Sequence, residues 1–363
     1  MAFLNRFQGV LLAFLLTVLL AGRVETLVTT QAVHQIDFWL VWLGCMVVLT
    51  LPILLLESAL AKRTKALPLQ ALPALTRDAD ASTRWRIVGW LALGTTSLLA
   101  GALSSQASHY VSELLKSNSG LSATQAVLPY VVIAGVAVFS YVSRWIPLIG
   151  TLLVVVLVGL GVLHPTAAVW QGTHFALTEW TGAVELALVA AGVGLGLYWQ
   201  TALTQTSTAR YKILPIWIAQ VVGGALVALG LVNLNQDVVG NVVYVLALLC
   251  GAAMLLAFAR QQLVARGFPV AVTWVVLLAS LAIWTLPITT TLMTVAIALA
   301  MSVPMIYAIF AGWKMKSSHL RKALDFNNEG LYNLWRVMVR LVVPLAVVVA
   351  LVGVVQQYIA WIQ

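Results

Sequence analysis

Gly192-Val193-Gly194-Leu195-Gly196 stands inside an apolar run, 181–201, that is otherwise long enough to cross a bilayer. Glycines at alternate positions leave the backbone free to enter conformations closed to other residues. An earlier run, Gly9 to Gly22, breaks at Arg23-Val24-Glu25. The two interruptions fall in segments 1 and 6. Interruptions at matching places in two halves of a chain point to inverted repeats, whose broken helices meet a solute near the midplane. Both segments are therefore expected to be interrupted, with a solute site lined by Gly22, Arg23, Gly192, Val193, Gly194 and Gly196. The competing reading of the three glycines is a small-residue stripe for helix packing.

Composition sets the class. Hydrophobic residues make up 62% of the 363 residues and charged residues 9%, against about 25% charged in soluble domains. Apolar runs of about 17 to 25 residues recur along the whole length. They lie near 7–28, 38–60, 86–114, 125–142, 147–163, 181–201, 214–234, 239–260, 268–285, 288–312 and 335–360. The expectation is an all-α integral membrane protein with about 11 transmembrane helices in a single membrane domain, 1–363. The N-terminal run reads as a retained first helix, since no small-residue cleavage site follows it. With the N-terminus cytoplasmic, the net charge of +9 gathers on the inner side, as the positive-inside rule asks. That sidedness predicts a multi-pass protein of the inner (cytoplasmic) membrane with its C-terminus outside. It accounts for the basic balance without a nucleic-acid partner.

Little in the chain suggests catalysis. Cys45 and Cys250 lie in apolar runs and read as small buried hydrophobes. The five histidines are scattered without metal-ligand spacing, and no nucleophile elbow or phosphate loop appears. No metal, no cofactor and no enzyme activity are expected. The inner loops 61–85 and 313–334, the second with a short amphipathic segment at Ser317 to Leu324, read as solvated positive-inside loops, with docking to anionic lipid or a partner protein as the sharper alternative.

Pro52 with Glu57 five residues on, then Ser58-Ala59-Leu60-Ala61-Lys62-Arg63, resembles the second helix of the neurotransmitter:sodium symporter family. The sixth segment, from Trp180 through Glu185 to Gly196-Leu197-Tyr198, is similar to that family's broken sixth helix. Pro304 through Gly312-Trp313, and Trp335-Arg336 to Pro344, look like its tenth and eleventh helices. The resemblance implies a LeuT-type fold, with 5+5 inverted repeats at about 7–163 and 181–312 and an extra helix at 335–360. It also implies a secondary transporter for an amino acid or related small solute.

The departures bear on coupling. Arg23 stands at the family's sodium-coordinating Asn position, Gly251-Ala252-Ala253 replaces its hydroxyl pair, and the stretch Thr95 to Ala102 offers no Tyr to a substrate carboxylate. Sodium needs hard oxygen ligands that methyl groups do not supply. The alternative function is therefore a non-transporting subunit or scaffold of a membrane complex. Arg23 either snorkels to the outer interface or replaces the lost cation, paired with Glu57 or Glu185. Glu57 reads as a structural carboxylate accepting N–H bonds from broken backbone, or as a proton carrier. Glu185 reads as an interfacial or a coupling acid, and Pro304 as a kink.

Overall fold

The computed structural model describes residues 2–28, 35–119, 127–142, 145–163, 170–172, 176–199, 209–232, 238–324, 326 and 328–362. These residues form helices joined by short connections. The described order is α1 (Ala2–Val28), α2 (Ile36–Thr64), α3 (Pro68–Asp78), α4 (Ile87–Ser119), α5 (Leu128–Val142) and α6 (Ile146–Leu163). Then come α7 (Leu177–Glu185, extended by Leu186–Ala190), α8 (Ala209–Ala228), α9 (Val238–Ala265) and α10 (Val270–Thr285). The order ends with α11 (Thr289–Lys314), α12 (Ser317–Leu324) and α13 (Glu329–Ile362). Six of them, α2, α4, α6, α9, α11 and α13, are long and apolar enough to cross a membrane.

The first segment departs from expectation. α1 runs unbroken from Ala2 to Val28, so Arg23-Val24-Glu25 interrupts the hydropathy and not the backbone. Arg and Glu are both good helix formers and Val is tolerated, so nothing in the triplet opposes an α-helix.

α9 is the central helix. Of its apolar window 78% is buried, against 28% for α6. It packs on α1, α4, α5, α6 and α10. Gly251 on α9 lies under Leu19 of α1 and Leu103 of α4, and Leu15 of α1 fills the space beside Gly150 and Cys250. Burying aliphatic surface this way contributes about 25 cal/mol per Å² where water is the alternative. Between helices already in lipid, close packing and polar contacts matter more.

The stretch 61–85 is not an open loop. Pro68 starts α3, where a missing N–H costs nothing. Leu69, Leu72, Leu75 and Thr76 then bury one face of the helix. Leu69 donates its N–H to Gln262 Oε1 of α9 at 3.3 Å, and the Gln70 amide reaches the Ala265 carbonyl. Arg63 and Asp78 close the ends of the unit with a 2.8 Å ion pair. α12 is drawn inward in the same way, with Leu320 and Leu324 buried. Beyond it the Trp335 indole donates to the Pro52 carbonyl at 3.0 Å. The solvated reading of 61–85 is corrected to a packed amphipathic helix, and the amphipathic segment expected at Ser317–Leu324 is a helix with Leu320 and Leu324 buried.

Candidate functional site

α7 ends where its glycines begin. After Glu185 the helix widens into a π-helical turn, Leu186–Ala190, and residues 191–198 leave helical geometry altogether. Gly192, Gly194 and Gly196 have φ of +62°, +83° and +77°. Val193 and Leu195 between them stay at negative φ, so the backbone alternates in sign. Such alternation turns successive N–H groups toward one point and makes a nest for an anion. Space is as restrictive as φ: a Cβ on Gly194 would lie 2.6 Å from Pro304 Cβ, and one on Gly196 would overlap Pro68. Pro304, expected only to kink its helix, thus also seats the break.

The acceptor in the nest is the Glu57 carboxyl. Glu57, 2% exposed, accepts the Gly196 N–H at 3.0 Å, and the Gly194 amide adds a second backbone contact. Other side chains hold the carbonyls freed by the break. Thr50 donates to the Ala187 carbonyl at 2.6 Å, and Tyr198 and Gln220 donate to the Ala191 carbonyl at 2.7 and 2.9 Å. A buried backbone group without such a partner costs about 1–3 kcal/mol, so these contacts are what let an irregular stretch persist between apolar helices.

Not every polar atom is satisfied. Among the described residues, Glu57 Oε2, Gln220 Oε1, Trp199 Nε1 and the Tyr307 hydroxyl are buried without a hydrogen-bond partner. All four belong to side chains around the break. Trp199 directly follows it, and its ring centroid lies 6.4 Å from that of Tyr307 on α11.

The remaining expected site residues are dispersed. Gly192, Val193, Gly194 and Gly196 share the buried break. Gly22 lies in the unbroken α1, and a Cβ there would approach the Tyr244 hydroxyl at 3.5 Å. That hydroxyl accepts from Gln106 Nε2 at 3.0 Å, and Tyr110 packs edge-on against Tyr244 at 5.3 Å. The Arg23 side chain lies outside the described residues. Neither Glu57 nor Glu185 has an ion-pair partner among those described. Glu185 lines a cavity with Thr290, Thr294 and Ile297 of α11 and Val354, Gln357 and Tyr358 of α13. Sequence reading missed Thr50, Gln106, Tyr198, Gln220 and Tyr244. For Thr50 and Gln220 the available signal was a lone polar residue inside an apolar run.

No protein-family model matches the chain, and no curated protein matches it. Among solved structures, the crystal structure of MhsT in complex with L-phenylalanine matches with a TM-score of 0.70 at 15% identity. The match covers 96% of this chain and 98% of that one. The likeness is one of fold. The chain shares the all-helical fold of that structure, and among the described residues six helices are long and apolar enough to cross a membrane.

Proposed function

We propose that this protein is a secondary transporter of a small solute, an amino acid or a related molecule. The carrying observation is the set of buried polar atoms around the break of α7 that have no partner among the described residues. Two acceptors and two donors, on Glu57, Gln220, Trp199 and Tyr307, offer a solute hydrogen bonds that buried groups rarely forgo. L-phenylalanine in the MhsT complex sets the size class of the first molecules to try. Eleven crossings in two inverted repeats, about 7–163 and 181–312, with the helix at 335–360 outside them, fit this reading. The four shorter apolar helices at 7–22, 128–142, 213–228 and 270–285 and the broken segment supply the five crossings beyond the six long ones. In this reading the N-terminus is cytoplasmic and the C-terminus outside.

The family's sodium pair does not fit these residues. Leu15, Leu19, Cys250, Gly251, Ala252 and Ala253 bring aliphatic groups and a thiol to the contact of α1 and α9, where hard oxygens would be needed. The same closure favours the second reading, a non-transporting subunit of a membrane complex, and so does the seating of Pro68 on Gly196 from below.

Uptake into proteoliposomes separates the two. Purified protein is expected to accumulate at least one member of a labelled panel of aromatic and aliphatic amino acids above protein-free vesicles. Gly194→Ala should abolish that uptake. Absence of uptake under sodium, potassium and proton gradients, together with a stoichiometric membrane protein that co-purifies, would replace the transporter reading with the scaffold one.

A further inference from the structure

Glu185 ends the regular part of α7, one turn after Thr181. There α7 and α13 touch so closely that a Cβ on Gly353 would overlap the Thr181 hydroxyl. The Glu185 side chain is 2% exposed. No hydrogen bond or ion pair to it exists among the described residues. It lines a cavity of about 110 Å³ between α7, α11 and α13, together with Thr290, Thr294, Gln357 and Tyr358. A carboxylate is costly to bury without compensation, and among the described residues neither backbone nor side chain supplies it.

The chemistry around it is that of oxygen. Thr294 donates its hydroxyl hydrogen to the Thr290 carbonyl at 3.0 Å, so its lone pairs are left for a cation. Gln357 brings an amide oxygen. The Tyr358 hydroxyl is linked to Thr291 at 3.2 Å and its ring stacks on Trp361. Among the described residues no basic side chain lines the cavity. α7 carries none over 177–190, and the only one on α11 is Lys314 at its far end. On α13 the arginines are Arg336 and Arg340. Arg340 is separated from Tyr358 by roughly 27 Å of helix at 1.5 Å per residue. The other acid of α7, Glu179, lies in its first turn and accepts the Ala176 N–H at 3.1 Å.

We infer that this cavity binds a monovalent alkali cation, with the Glu185 carboxylate as its charged ligand and oxygens of Thr290, Thr294, Gln357 and Tyr358 as neutral ones. One carboxylate among neutral oxygens matches a single positive charge, whereas divalent sites draw on more anionic ligands. The site is separate from the glycine break and does not depend on the transporter reading, because occupancy is measurable without uptake.

The test is thermal unfolding of the full-length protein in detergent at pH 8, in LiCl, NaCl, KCl or choline chloride at equal ionic strength. A ligand that binds only the folded state stabilises it by mass action. At about five times its dissociation constant, one alkali ion is expected to raise the melting temperature by about 2–4 °C. Choline should have no effect. Glu185→Gln should abolish the shift, and Glu57→Gln should leave it intact. Thr294→Val, which keeps the shape and removes one oxygen, should weaken apparent affinity about ten-fold, and it carries the test if Glu185→Gln does not fold. An alkali shift of equal size in Glu185→Gln overturns the site. So does a melting temperature that responds to pH but to none of the three ions, since that is the behaviour of a protonated carboxyl.

Discussion

Glu57→Ala is expected to destabilise the protein by about 3–5 kcal/mol. The substitution leaves the Gly194 and Gly196 amides in a buried nest without an acceptor. An unpaired buried donor costs about 1–3 kcal/mol, and the volume vacated by the side chain adds a cavity term. Glu57→Gln keeps an acceptor oxygen at the same place and should cost about 1 kcal/mol. The pair of variants separates the loss of a hydrogen-bond acceptor from the loss of a charge. Cys45 and Cys250 are free and buried, so a thiol-reactive dye reports unfolding directly. If the Ala and Gln variants melt together, within about 1 kcal/mol of the parent, the carboxylate is not what secures the break.

The second large effect is at Gly194. An Ala there enters a left-handed conformation that costs about 1–2 kcal/mol. It also meets Pro304 at 2.6 Å, and overpacking of this kind costs about 1–3 kcal/mol. The expected total is about 2–5 kcal/mol. Gly267 is the internal control: its φ is +92° and nothing lies within 4 Å of a Cβ built on it. Gly267→Ala should therefore show the conformational part alone, and the difference between the two variants measures the contact with Pro304. Equal losses at both positions would mean that Pro304 moves aside freely, and that it does not seat the break.

The break in α7 was legible because its cause is in the residues themselves. Glycines at 192, 194 and 196 are among the few residues that accept positive φ at no steric cost. The supposed break in α1 was misread because charge was taken for backbone irregularity. Arg23 and Glu25 disturb a hydropathy profile, yet each sustains a helix. The inner helix α3 was hidden by its prolines and charges, although Leu69, Leu72 and Leu75 recur at helical spacing. Gln220 and Thr50 stood out only as lone polar residues in apolar runs, with nothing local to say what they bind. Each acts on a carbonyl freed far away in sequence, and such a pairing exists only once the helices are assembled. Glu185 reads alike from sequence whether it faces lipid headgroups or an interior cavity, because the difference is made by α11 and α13.

The widened turns have a consequence for kinship. Among the described residues two lie inside continuous helices, Met46–Thr50 in α2 and Met338–Val342 in α13. A π-helical turn absorbs one extra residue within an otherwise continuous helix. At 3.6 residues per turn, one residue swings every later side chain by about 100° around the axis. Any ancestor or cousin lacking one of these turns aligns correctly only if a single-residue gap is opened in mid-helix. Without that gap, lipid-facing positions of one chain are set against core-facing positions of the other from that point on. Superposition in space is indifferent to such slips, and residue-by-residue comparison is not. Evolutionary distance measured along this chain will therefore look greater than distance measured through its helices.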